Sequence, residues 1–194
     1  MINESLFKTT RHLAKELARQ MELGNQRIVF AESCTAGLVS GILAQIPGIS
    51  KWLCGSSVTY MESLKESWLA IDNDLIAKHT AVSSQVTEEM AKSVLERTSV
   101  ADFAVAITGH RDPGMSETGS MAYVGVSYRA DQAVHVRPVV GYPLAGKNRI
   151  NRQWSAASIA LNVAVEHLRF PPGKEIHSVD WLRVCQEPKK YPWS

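Results

Sequence analysis

The sequence has few cysteines, no long apolar run and no excess of charge of one sign. Its three cysteines, Cys34, Cys54 and Cys185, are odd in number and lack metal-ligand spacing, so neither a disulfide framework nor a zinc site is predicted. The 21 basic residues are nearly balanced by 19 acidic ones, giving a formal net charge of +2. This balance gives no support to a role that depends on bulk attraction to nucleic acid or to a membrane surface.

Two further absences bear on location. No apolar stretch approaches the length of a membrane span, and the first 20 residues lack the apolar core of a signal peptide. We therefore expect a protein of the reducing cytoplasm, without membrane or nucleic-acid partners. A chain of 194 residues suffices for one domain with a sizeable core, or for one domain and an appendage.

Apolar patterning predicts strands that alternate with helices. The predicted strands cover 26–31, 52–60 and 102–108, with an antiparallel hairpin from 121–128 and 134–140 that turns at 130–131. The predicted helices cover 4–23, 33–45, 62–70, 72–79, 84–98 and 147–170. This order is typical of the α/β class, here a three-layer α/β/α sandwich around a mixed, mostly parallel sheet.

Pro171-Pro172-Gly173 follows the last predicted helix and ends the regular secondary structure. We expect a domain over residues 1–170 and a C-terminal extension over residues 171–194. The extension contains two tryptophans but no periodicity, which favours packing over the domain or over a partner subunit.

Ser33 stands at the junction between the predicted strand 26–31 and the predicted helix 33–45. A hydroxyl there lies at the carboxyl end of the sheet, where open α/β folds bind ligands. It also faces helix amides that suit a phosphate or the oxyanion of an acyl transfer. The alternative is an ordinary helix N-cap, the commoner role of a serine before a helix. The residues themselves leave both interpretations open.

Tyr60 and Lys65 follow the second predicted strand. A helix that begins shortly after Tyr60 would let Lys65 point back across the end of the sheet. A lysine desolvated there would have a lowered pKa and would accept a proton from a serine. The alternative is a solvated Lys65 near Glu62 and Glu66, with Tyr60 as a half-buried strand aromatic.

Thr108 and Gly109 lie at a third strand end, where the same crevice would form. Arg149 and Arg152 open the last predicted helix. Their guanidinium groups suit a phosphate or a carboxylate, although an exposed basic helix face is the commoner explanation of such a pair.

Together these segments resemble the CinA C-terminal-domain family (competence/damage-inducible protein), whose active members deamidate nicotinamide mononucleotide. The resemblance covers residues 5–169. The matching stretches are AESCTAG at 31–37, VTY at 58–60 with Lys65, HTAVSSQV at 79–86, AVAITG at 104–109, and Gly146 with Arg149 and Arg152.

The resemblance implies a Ser–Lys hydrolase that needs no metal or cofactor. Ser33 would be the nucleophile and Lys65 its general base, with Tyr60 assisting. The oxyanion would rest on amides at the start of the 33–45 helix. The substrate, a pyridine nucleotide, would be contacted by Cys34, Thr35, Thr108, Gly109, Arg149 and Arg152. Family members commonly self-associate, so a homo-oligomer is expected.

The sequence departs from the family in the loop 110–115, where His-Arg-Asp-Pro-Gly-Met replaces a small and flexible run. The added bulk and charge favour a second hypothesis, a catalytically silent relative that binds a nucleotide or another protein. A third hypothesis makes Cys34 the nucleophile, activated as a thiolate at the helix N-terminus, with Ser33 as the cap.

Overall fold

The fold was analysed in a computed structural model that describes residues 2–110, 112 and 120–171. The predicted extension beyond residue 171, and residues 111 and 113–115 of the altered loop, lie outside this part. The helices are α1 (Glu4–Gly24), α2 (Leu38–Leu43), α3 (Glu62–Leu69), α4 (Asn73–His79), α5 (Ser84–Glu96) and α6 (Arg149–Arg169). The strands are β1 (Ile28–Glu32), β2 (Leu53–Val58), β3 (Phe103–Gly109), β4 (Met121–Ala130), β5 (Ala133–Val136) and β6 (Val140–Pro143).

The strands form one mixed sheet in the order β2-β1-β3-β4-β5, and β6 also pairs with β4. The predicted α/β sandwich with a mixed sheet is therefore confirmed. In the described chain, β1 is parallel to β2 and β3, whereas the three pairings of β4 are antiparallel. Parallel pairing is thus less extensive than expected.

Two cores lie on opposite faces of the sheet, because successive strand side chains point to opposite sides. In β3, Phe103, Val105 and Ile107 join the core beneath α1, α2 and α6. Ala104 and Ala106, between them, join the core beneath α5. Small residues on that face let α5 pack close to the sheet.

The predicted hairpin differs from the structure in the position of its turn and in its second strand. Its turn falls one residue later, at Asp131 and Gln132, which both have positive φ. The predicted strand 134–140 is two strands, since pairing with β4 is interrupted at 137–139 around Pro138, which has no N–H to donate. No helix in the described segments is long and apolar enough to cross a bilayer.

Candidate active site

Three strand ends meet at one edge of the sheet. Parallel pairing places Glu32, the last residue of β1, opposite Val58 of β2 and Ile107 of β3. The residues that follow these strands therefore lie side by side. The Ser33 amide donates to the Ile107 carbonyl at 3.0 Å, and the Thr59 amide donates to the Glu32 carbonyl at 2.9 Å. This edge is where the sequence placed the candidate site.

Lys65 reaches Ser33 from the first turns of α3. Its Nζ lies 3.1 Å from Ser33 Oγ and donates to the Thr59 carbonyl at 2.8 Å. The lysine is only 1% exposed and the serine 8%. The interpretation of Lys65 as a solvated helix residue is therefore wrong. The distance is within the hydrogen-bond reach that proton transfer between a nucleophile and its base requires.

The environment of Lys65 disfavours its charged form. Burial lowers the pKa of the amine below its ordinary value of 10.5. The negative charge of Glu62 acts in the opposite direction and raises that pKa. Burial thus makes the neutral amine, the form whose lone pair accepts a proton, easier to reach than in an ordinary lysine.

Glu32 controls the junction after β1 in a way that the sequence analysis missed. Its carboxylate is fully buried and accepts bonds from the Val39 and Ser40 amides, each at 3.0 Å. It also accepts bonds from the hydroxyls of Ser40 and Ser56, at 2.7 and 3.0 Å. The charge thus caps α2 and ties it to β2.

The predicted helix 33–45 is wrong at its start, because α2 begins only at Leu38. Residues 33–37 form turns in which Ala36 and Gly37 have φ of 53° and 88°. Ser33 is therefore not a helix N-cap, since that position belongs to Gly37. The expected use of helix amides for the oxyanion also needs correction, because Glu32 already occupies those of Val39 and Ser40.

The Ser33–Lys65 pair opens into a cleft of about 260 Å³. Its lining consists of Ser33, Cys34, Tyr60, Glu62, Lys65, Ala81, Val82, Thr108, Gly109, His110, Asp112 and Arg149. At the cleft mouth, Arg149 from the first turn of α6 donates to the Tyr60 hydroxyl at 2.9 Å and forms an ion pair with Asp112. The nearby Asp112 carboxylate raises the pKa of Arg149. Tyr60 is about half exposed, as the alternative interpretation expected, but it lies two residues beyond the end of β2 and is not part of the strand.

Thr108 and Gly109 form part of the cleft wall. The Thr108 hydroxyl donates to the Ala81 carbonyl at 3.1 Å, so it fixes the segment before α5 against β3. Gly109 is required by close packing: a Cβ there would lie 2.6 Å from the Met121 carbonyl oxygen. Cys34 also lines the cleft, although its side chain is only 3% exposed.

Two of the predicted substrate contacts lie outside the cleft lining. Thr35 is fully buried, and its carbonyl accepts a bond from Gln153 at 2.7 Å. Arg152 lies three residues beyond Arg149, about 4.5 Å further along the helix axis. Of the two arginines, Arg149 is the one among the residues that line the cleft.

Three acidic residues of the site were absent from the predicted set. Glu32 had one usable signal, because a carboxylate at the end of a buried strand is rarely found without a partner. Glu62 was named only as a neighbour of a solvated Lys65, and Asp112 only as part of an altered loop. Glu62 acts on Lys65 through its charge, three residues away on the same helix, whereas the ion pair of Asp112 with Arg149 arises from tertiary structure.

One basic group at the cleft mouth, Arg149, suits an anion, and the described residues hold no candidate metal site. Residues 2–110, 112 and 120–171 contain no group of three or more His, Cys, Asp or Glu side chains able to hold a metal. Arg149 instead presents the guanidinium fork that matches phosphate or carboxylate oxygens.

The chain is similar to proteins of one family. A sequence model described as the CinA C-terminal domain matches residues 10–168. A CinA-like protein of Prochlorococcus marinus (strain AS9601) is 35% identical over 153 residues, which are 77% of this chain and 35% of that protein. One from Mycobacterium leprae (strain TN) is 45% identical over 92 residues, 47% of this chain and 21% of that protein. The chain thus spans about a third of the length of the first of these relatives.

Solved structures have the same fold. A competence damage-inducible protein A (ComA) from Klebsiella pneumoniae matches with a TM-score of 0.74 and 25% identity, covering 84% of this chain and 98% of that one. A competence/damage inducible protein CihA from Agrobacterium tumefaciens matches with a TM-score of 0.73 and 25% identity, covering 88% and 99%.

Proposed function

The chain belongs to the CinA C-terminal domain family, as its motifs predicted, and from that premise we propose that it is a serine amidohydrolase. Its proposed reaction converts nicotinamide mononucleotide to nicotinic acid mononucleotide and ammonia. The observation that carries the proposal is the 3.1 Å contact between Ser33 Oγ and the buried Lys65 Nζ. A hydroxyl and a desolvated amine at this distance form a nucleophile and its base.

The first half of the reaction is an acyl transfer to Ser33. A neutral Lys65 takes the Ser33 hydroxyl proton while Oγ attacks the carboxamide carbon of the pyridine ring. The N–H donated by Lys65 to the Thr59 carbonyl orients the amine, so that its lone pair faces the serine. The C–N bond then breaks, and the protonated Lys65 returns the proton to the departing nitrogen, which leaves as ammonia.

The second half is hydrolysis of the acyl-enzyme. A water molecule attacks the ester carbon and gives its proton to Lys65, and the proton passes to Ser33 Oγ as the ester bond breaks. In both halves we place the oxyanion against the backbone of the 34–35 turn, because α2 already uses its first amides for Glu32. The nucleotide phosphate is placed at Arg149, at the mouth of the cleft.

The proposal is tested by ammonia release from nicotinamide mononucleotide. Purified wild-type protein is expected to turn over, and Ser33→Ala is expected to lose about 10³-fold or more of kcat, as removal of a nucleophile does elsewhere. Cys34→Ala is the matched control for the third hypothesis and is expected to keep most activity. A Cys34→Ala loss as large as that of Ser33→Ala would instead make the thiol the nucleophile.

One observation favours the second hypothesis of a silent binding domain. Asp112 already pairs with the guanidinium that would hold the substrate phosphate. The same assay decides between the two hypotheses: nucleotide binding by calorimetry without ammonia release would support the silent relative, whereas turnover would remove it.

The family resemblance also implies where the protein works, which cofactors it needs and whether it self-associates. We propose a cytoplasmic enzyme that works without metal or cofactor and self-associates as a homo-oligomer. Light scattering on the purified chain measures the last of these.

A further inference from the structure

The Arg149 guanidinium has two partners from different parts of the chain. It donates to the Tyr60 hydroxyl at 2.9 Å and is ion-paired with Asp112, whose side chain is half-exposed, as is that of Arg149 itself. All three residues line the cleft that contains Ser33 and Lys65. Asp112 belongs to the segment where this chain departs from its family's small and flexible run.

The charges of the described cleft lining are unfavourable to an added anion. Arg149 and Lys65 contribute the positive charges, and Glu62 and Asp112 the negative ones. When Lys65 is the neutral base, one positive charge faces two negative ones. A phosphate that binds Arg149 must therefore compete with the Asp112 carboxylate, because both anions accept hydrogen bonds from the same guanidinium N–H groups.

We propose that Asp112 is a specificity-determining residue that competes with the phosphate of the substrate for Arg149. The inference rests on the proposed function and deepens it. Asp112 weakens binding of the phosphorylated substrate while leaving its dephosphorylated nucleoside unaffected. The enzyme therefore discriminates less between nucleotide and nucleoside carboxamides than Arg149 alone would allow.

The competition is partial and does not block the cleft. An exposed ion pair in water contributes little net stability, so a phosphate can displace the carboxylate. The phosphate then also experiences repulsion from the displaced Asp112. Removal of the carboxylate is expected to tighten phosphate binding by about 1.5-fold to fivefold, the range that corresponds to one exposed charge contact.

The test measures binding in the Ser33→Ala background, where no turnover interferes. Calorimetry compares nicotinamide mononucleotide with nicotinamide ribonucleoside on S33A and on S33A with Asp112→Asn. Asp131→Asn is the matched control, because it removes one exposed carboxylate at the turn after β4, at the opposite edge of the sheet. We expect tighter nucleotide binding with Asp112→Asn only, and unchanged nucleoside binding throughout.

The other outcomes separate the two proposals. Nucleotide binding that Asp112→Asn leaves unchanged overturns the competition while the proposed function stands. Equal tightening of both ligands also overturns it, since a general change of the loop would then be the cause. Absence of binding of either ligand to every variant removes the proposed function, and the inference with it.

Discussion

At the scale of single residues, the site depends on a lysine that is buried beside the candidate nucleophile. Lys65 is 1% exposed, and the Thr59 carbonyl and Ser33 Oγ take its hydrogen bonds. The sequence predicted the Ser33–Lys65 pair through its family resemblance, because neither residue alone outweighed its ordinary interpretation. It did not predict the influence of Glu62, since an acid three residues before a lysine on a helix is ordinary surface chemistry.

Burial lowers the pKa of Lys65, and the charge of Glu62 is expected to offset part of that shift and so to move the pH dependence of the reaction. Only neutral Lys65 accepts the serine proton, so kcat/KM rises with pH through the pKa of Lys65, which lies below 10.5. Glu62 raises that pKa because its charge stabilises the ammonium form. Glu62→Gln should therefore lower the pKa and move the rising limb of the pH profile to lower pH, with higher activity on that limb.

The pH–rate profile of Glu62→Gln measures this shift directly. Glu66→Gln is the control, since it removes an exposed carboxylate of the same helix that does not contribute to the pKa of Lys65. If the rising limb stays in place in Glu62→Gln, or moves equally in Glu66→Gln, the charge of Glu62 does not raise the pKa of Lys65 and the prediction is wrong.

At the scale of helices and strands, the shape of the site depends on two sets of close contacts, those of Glu32 beneath Ser33 and those of Gly109 in the cleft wall. Glu32, the last residue of β1, joins this strand to α2 and β2 through four hydrogen bonds that its carboxylate accepts. The helix 33–45 was predicted to start directly at the end of the preceding strand and to stop before Pro47 and Gly48. Its true start could not be read from that pattern, since Ala36 and Gly37 adopt positive φ while Glu32 caps from the preceding strand.

The wall depends on the approach of β4 to the end of β3. A methyl group at Gly109 would contact the Met121 carbonyl at 2.6 Å and the Ala122 Cα at 2.9 Å, both backbone atoms that cannot move aside. Gly109→Ala should reduce the free energy of unfolding by about 1–3 kcal/mol, the usual cost of overpacking. Urea unfolding measures the change.

Gly41→Ala is the matched control for this substitution. A Cβ at Gly41 meets nothing within 4 Å, and the residue lies inside α2. It should therefore raise the free energy of unfolding by about 0.5–1 kcal/mol, because alanine favours helix over glycine. Equal effects of the two substitutions would show that β4 does not press on Gly109.

At the scale of the whole molecule, the fold brings together residues far apart in sequence. The α/β class followed from apolar patterning, and the convergence of 33, 59 and 109 followed from parallel pairing of their strands. The Asp112–Arg149 ion pair could not be predicted in this way, since it joins residues 37 positions apart across the edge of the sheet. Pairing of β4 with both β5 and β6 was likewise hidden, because an alternating pattern does not show where Pro138 interrupts a strand.

The central claim, an acyl-enzyme on Ser33 formed with Lys65 as base, is tested most directly by locating the covalent intermediate. Ser33 and Cys34 lie in one tryptic peptide, residues 28–51, between Arg27 and Lys51. After rapid acid quench of turnover with nicotinamide mononucleotide, tandem mass spectrometry should find the acyl group on Ser33, and no adduct in Lys65→Met. An adduct on Cys34, or an equal yield on Ser33 in Lys65→Met, would contradict the account.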